Sequence, residues 1–297
     1  MEWANPLTVA HVSRILAAVA LFGVAAAAAA GVMRRRSREV HKRGVVLDER
    51  PPWRRMPRLA RPRPEALSIA GTVLPLLDET KHFKIIGTTG TGKSTAIRQL
   101  LGGALARGDR AIIADPDGGY RERFFRRYRG DVVLNPFEPH SVQWDPFSEI
   151  NDDYDADQLS AALIASTNDA SSNEWRSYAR TFLTAVLRSC DRSGRRGVDE
   201  LWNLLAVAPS EELRSVVRDT PAQPFLDPDN ARMFGSIRSV AVSAAAALEY
   251  IQRQRCAPFS VRGWVRNHRE PGALFITYKA AQIAALRSMI ATWMSSG

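Results

Sequence analysis

Gly87-Thr88-Thr89-Gly90-Thr91-Gly92-Lys93-Ser94-Thr95 has the spacing G-x-x-x-x-G-K-[S/T] of a phosphate-binding loop. It follows a short apolar run, Phe83 to Ile86, that reads as a buried strand. It opens onto Ala96 to Arg107, which reads as a helix closed by Gly108. Strand, glycine loop and helix in that order are the context this spacing requires. Glycines at 87, 90 and 92 let main-chain N–H groups approach phosphate oxygens, and the positive end of the helix favours the anion. Lys93 is placed to meet the β- and γ-phosphates and the Ser94 hydroxyl to ligate Mg²⁺, while Thr95 supports the turn. No guanine-reading N-K-x-D follows, which favours ATP over GTP.

Outward from the loop, Arg110 to Ala114 reads as a second buried strand, ending at Asp115-Pro116-Asp117-Gly118-Gly119. An acid at the carboxyl end of a strand lies on the ligand side of an open α/β sheet, so Asp115 could approach the metal. Equally, Asp-Pro and Asp-Gly-Gly are turn sequences. A third strand is expected at Asp131 to Leu134, and a hairpin at Leu67 to Leu77 ahead of the loop. From 155 to 258 the apolar spacing turns helical. Helices are expected at Leu159 to Ala165, Glu174 to Cys190, Asp199 to Ala208, Glu211 to Arg218 with Ser210 as N-cap, and Asn230 to Ile251. Strand character returns at Gly272 to Tyr278, followed by a helix at Ile283 to Met294.

Within the helical part Arg176, Arg180 and Arg188 stand among a cluster of arginines. They read either as contacts to nucleic-acid phosphates or as a solvated helix face. With 41 Lys and Arg against 31 Asp and Glu in 297 residues, a net charge of +10 suits an anionic partner, lipid or nucleic acid. Cys190 and Cys256 are the two cysteines; they carry no metal spacing and no disulfide framework.

The uncharged residues 15 to 33, ILAAVALFGVAAAAAAGVM, would span about 28 Å as a helix, close to a bilayer core. Arg34-Arg35-Arg36-Ser37-Arg38 follows them, and the positive-inside rule then places the rest of the chain in the cytoplasm. A buried alanine-rich helix or a cleaved leader are the other readings. The Arg- and Pro-rich stretch ERPPWRRMPRLARPRP reads as a basic linker. The expected organisation is therefore a membrane anchor at 1–40, a linker at 41–66, the first part of a nucleotide-binding domain at 67–154, an all-α insertion at 155–258 and the resumed domain at 259–297.

Taken together, GTTGTGKST, ADPDGG, VVLNPFE followed by WDPFSEI, EWRSYAR, FSVRGWV and ALFITYK resemble, in that order, the TraD-type coupling proteins of type IV secretion and bacterial conjugation. The likeness runs from about Lys42 to Trp293. It implies an α/β, RecA-like P-loop domain interrupted by an all-α domain, anchored by a transmembrane helix in the bacterial inner membrane and assembled as a homo-hexamer. It also implies ATP and Mg²⁺ as cofactors, and DNA, the relaxosome and type IV secretion channel proteins as partners. Residue by residue, Gly87, Gly92, Lys93, Ser94 and Thr95 match the family's nucleotide site and Asp115 its strand-end acid. Two departures stand out. The family usually carries two transmembrane helices where one is visible, and its apolar strand ending in Asp-Glu, expected after the segment that here ends at Gly297, is missing, so the sheet is expected to be incomplete. Val45 to Glu49 and Leu74 to Glu79 imitate that pattern but precede the phosphate loop. The expectation is an N-terminal piece of a longer coupling protein with weak hydrolysis of its own. The rivals are a non-catalytic membrane adaptor and a different P-loop enzyme, a kinase or transport ATPase; no LSGGQ-type signature supports a transporter.

Overall fold

A computed structural model describes residues 66–269 and 271–296. The apolar segment 15–33 and nearly all of the Arg/Pro tract lie outside them. Among the described residues no helix is long and apolar enough to cross a membrane.

The expected hairpin is present as β1 (Ser68–Ile69) paired antiparallel with β2 (Thr72–Val73). Ala70 and Gly71 between them both have positive φ, 49° and 78°, the arrangement that matches the twist of a two-residue hairpin. The hairpin is tied to helix α1 (Lys93–Ala106): Gln99 accepts from the Ala70 N–H at 3.0 Å and donates to Ser68 Oγ at 3.3 Å. The strand expected at Phe83 to Ile86 does not form. Those residues are irregular, with Phe83 48% and Ile86 80% exposed. An apolar run becomes a strand only when a neighbouring backbone pairs with it, and among the described residues none does.

The sheet consists of β3 (Ala111–Pro116), β4 (Val132–Leu134) and a later central strand; helix α2 (Gly119–Phe124) lies between the first two in sequence. A short β5 (Gln143–Trp144) leads into α3 (Asp153–Leu163), closed by a capping box between Asp152 and Asp155. The 23-residue α4 (Ala170–Arg192) is the main beam of the helical part. It buries Phe182, Val186, Leu187 and Cys190, while Trp175 near its start is 37% exposed.

Helix α5 (Val198–Trp202) continues as a π-helical turn, Asn203–Val207. Then come α6 (Ser210–Val216) and α7 (Ala231–Ala244). Ser210 is the first helical residue rather than the cap, which is Pro209 in extended conformation. The helix expected to run unbroken to Ile251 instead stops at Ala244 and restarts as α8 (Leu248–Ile251). The alanine run favours a helix, but the Ala244 carbonyl accepts from Ser288 Oγ at 2.7 Å and Ala245, Ala247 and Leu248 are fully buried, so tertiary packing overrides propensity.

β6 (Pro258–Phe259) pairs parallel with β5, α9 (Val261–Arg266) follows, and β7 (Ala273–Tyr278) returns to the sheet before α10 (Ile283–Ser295). β7 lies between β3 and β4, parallel to both, with Ala111 opposite Ala273 and Val132 opposite Leu274. Covered on both faces, it reads as a continuous apolar run. Its alternate residues serve two cores. Ala273 and Phe275 join Leu105 of α1 and Ile113. Leu274 and Ile276 join Leu134 and the helices.

Two of the quoted segments meet at one buried carboxylate. Glu149, from WDPFSEI, accepts from Trp144 Nε1 at 3.0 Å and from the N–H groups of Val261 and Arg262, in FSVRGWV, at 2.6 and 3.0 Å. Asp155 forms an ion pair with Arg262 alongside it, at 2.5 Å.

Candidate nucleotide site

Lys93 is the first residue of α1, and the loop before it is exposed. Gly90 and Gly92 both have φ +83°, a left-handed conformation that any side chain would strain, and open space around them. At Gly87 the constraint is different: a Cβ would come within 2.4 Å of Thr91 Oγ1. The Thr88 carbonyl gathers the loop, accepting from the Thr91 N–H at 3.4 Å, from its hydroxyl at 2.8 Å and from Lys93 Nζ at 2.5 Å. Thr89, Thr95 and Ser94 are exposed, and the Ser94 hydroxyl makes no hydrogen bond among the described residues. The loop thus offers free N–H groups, one ammonium and one free hydroxyl at a helix N-terminus, a donor set suited to a phosphate and its cation.

Asp115, at the end of β3, is fully buried. Its Oδ1 accepts from the Tyr120 N–H at 3.0 Å and its Oδ2 from the Arg121 N–H at 2.6 Å. Both oxygens therefore satisfy the first turn of α2, which has no other side-chain cap. Of the two readings of this acid, the turn is the one its contacts describe. Among the described residues no hydrogen bond links it to Lys93 or Ser94.

Beyond the carboxyl ends of β3, β4 and β7 lies a cavity of about 650 Å³ lined by residues that include Arg121, Asn135, Glu138, Thr277 and Lys279. Thr277 donates to Glu138 Oε1 at 2.5 Å, and Glu138 also pairs with Arg121. Asn135 Nδ2 stands 3.4 Å from Thr277 Oγ1 and 3.5 Å from Gln282 Oε1, which in turn accepts from the Lys279 N–H at 2.9 Å. Sequence reasoning passed over this network. Asn135 and Thr277 do sit in the quoted segments VVLNPFE and ALFITYK, but only the parallel register brings the ends of those strands together.

The three arginines of the helical part have defined local partners. Arg176 donates to the Ala165 carbonyl at 3.1 Å. Arg180 donates to the Ile164 carbonyl at 2.7 Å and to Ser166 Oγ at 2.8 Å, satisfying groups just past the end of α3. Arg188 holds the Asp153 carbonyl at 2.8 Å and the Asp157 carboxylate at 2.6 Å. Each guanidinium retains further N–H donors, so these contacts fasten α3 to α4 without using up the charge.

Residues 66–297 match the family described as the type IV secretion-system coupling protein DNA-binding domain. The coupling protein TraD of Escherichia coli strain K12 is 29% identical over 229 residues, 75% of this chain and 32% of TraD. Among solved structures, the plasmid coupling protein TrwB in complex with the non-hydrolysable GTP analogue GDPNP is 29% identical, with a TM-score of 0.69 over 78% of this chain and 55% of TrwB. TrwB in complex with ADP and Mg²⁺ gives the same identity and TM-score over 80% of this chain and 56% of TrwB. The chain thus spans about a third of TraD and about half of each TrwB chain.

Proposed function

The chain belongs to the type IV secretion-system coupling proteins, and from that premise we propose that it binds ATP with Mg²⁺ at Gly87–Thr95 and serves to recruit or drive DNA into a secretion or conjugation channel. The observation that carries this reading is the phosphate loop itself, with Lys93 opening a 14-residue helix packed on a parallel sheet. Lys93 would leave the Thr88 carbonyl for the β- and γ-phosphates, and Ser94 would hold the metal, which neutralises phosphate charge. In this reading the segment 15–33 anchors the protein in the inner membrane with the later residues cytoplasmic. The complete assembly is a homo-hexamer that receives nucleoprotein from the relaxosome and passes it to the channel proteins. TrwB has been seen with both a GTP and an ATP analogue, so the nucleotide preference is part of the test.

The test is a titration of the chain with a fluorescent ATP analogue and Mg²⁺, with ATP and GTP as competitors. Saturable binding, weakened by roughly a hundredfold in Lys93→Ala and competed better by ATP, is expected. Absence of binding by the parent would overturn the nucleotide reading. One observation favours a second reading, a non-catalytic adaptor: the strand-end acid Asp115 is occupied as a helix cap. A folded chain that binds DNA but no ATP is the result that would support it.

A further inference from the structure

The helical part contains a recessed cleft of about 680 Å³ between α4 and the turn that follows α6. Three guanidiniums, Arg188, Arg192 and Arg218, line it together with the hydroxyl-bearing Thr181, Ser189 and Ser215. Thr181, Arg188 and Arg192 recur on one face of α4 at helical spacing, over about 16 Å of its length. The residues between them are small, Ala185 and Ser189, so the face is a trough rather than a ridge. Two carboxylates enter it, Asp157 and Asp219. Asp157 is already taken by Arg188 at 2.6 Å. Arg192 is held only loosely, 3.5 Å from Asp153 with both side chains largely exposed, and Arg218 has no ion-pair partner among the described residues.

We infer that this cleft takes the sugar-phosphate backbone of a single nucleic-acid strand. Guanidinium forks and hydroxyls are the donors that recognise phosphate oxygens, and Arg192 and Arg218 have donors to give. Among the described residues no aromatic ring lines the cleft on which a base could stack, so the strand is held by its backbone and without regard to sequence. A lipid surface fits less well, because Val216 and Pro221 are the largest apolar residues that line the cleft, too little apolar surface to enter a bilayer interface. The inference rests on the DNA-handling reading of the family and adds where on this chain the strand is held.

The experiment is fluorescence anisotropy of the full chain with a labelled single-stranded oligonucleotide of mixed sequence, over a salt series. The variants are Arg192→Gln/Arg218→Gln, Ser189→Glu, and Arg232→Gln as an exposed control outside the cleft. Circular dichroism and the thermal midpoint are measured alongside. Neither should move in the double variant, whose arginines make no hydrogen bond to the backbone among the described residues. The double variant is expected to bind on the order of tenfold more weakly, and its slope of log K against log salt should be shallower by about 0.7 for each phosphate no longer neutralised. Ser189→Glu should weaken binding similarly and Arg232→Gln should not. A folded double variant with parental affinity and slope overturns the cleft while leaving DNA binding intact. A parent that binds no oligonucleotide overturns both. Displacement of the strand by inorganic phosphate at equal charge concentration would show a site for a free anion only, and would also overturn the inference.

Discussion

The Lys93 ammonium lies 2.5 Å from the Thr88 carbonyl oxygen, five residues back along the same loop. The residue meant for the ligand thus holds its own loop together. A phosphate must exchange a neutral carbonyl for an anion at that ammonium, a trade that favours the ligand because the cation then meets a full opposite charge instead of a carbonyl dipole. Lys93→Ala is expected to weaken nucleotide affinity by roughly a hundredfold, about 2.7 kcal/mol. Thermal stability should hardly change, since the bond it removes is exposed. A titration of parent and variant with the fluorescent nucleotide decides; equal affinity would remove Lys93 from the site.

Asp115→Asn separates the cap from the metal ligand. The carboxylate accepts two backbone N–H groups in a fully buried position, and an amide supplies one oxygen where two are used. Its NH₂ would face a second donor, at a cost of about 1–3 kcal/mol. Urea unfolding should show that loss without any nucleotide present. If the stability is unchanged and only Mg²⁺-dependent nucleotide binding falls, Asp115 acts on the metal.

The phosphate loop, β3, β4, β7 and most of the helices were legible because each rests on a local signal: glycine spacing, a fully apolar run or helical periodicity. Phe83 to Ile86 failed as a strand because pairing is not local; the run is apolar enough, yet the ladder it needs is not supplied among the described residues. The break at Ala245–Ala247 was invisible for a related reason, since it depends on Ser288, 44 residues away. At the candidate site, the glycine turn and the helix that Lys93 opens were readable, but the strand expected before them was not. The Asn135–Glu138–Thr277–Gln282 network was not, because polar residues at strand ends acquire meaning only when parallel register sets the ends side by side.

Arg180 tests how the helical part uses its arginines. Its planar fork donates to the Ile164 carbonyl and Ser166 Oγ, a geometry that lysine cannot reproduce. Arg180→Lys keeps the charge and is expected to lower the stability of the chain by about 1–2 kcal/mol, read from the urea midpoint. DNA affinity at fixed salt should stay within a factor of about two. A stable Arg180→Lys variant with weakened DNA binding would mean that the fork serves the strand rather than the loop.

Asp155 gives the fold a pH dependence whose sign can be worked out. Burial pushes its carboxyl upward, but the Arg262 guanidinium and the N–H groups of Asn151 and Asp152 outweigh it and hold the folded pKa below the usual 3.8. A carboxyl whose pKa is depressed by folding contributes stability that is complete above its unfolded value and disappears as pH falls through the folded one. Asp155→Asn is therefore expected to be less stable than the parent at neutral pH, because Arg262 is left without its partner beside the buried Glu149. The two urea midpoints should converge as pH drops below about 3.8, where the parent's own carboxyl becomes protonated. Arg262→Gln should show the same convergence, since it removes the other half of the pair. A gap between parent and Asp155→Asn that persists unchanged into acid would mean that the variant loses packing rather than charge, and that the α3–α9 junction does not depend on this ion pair.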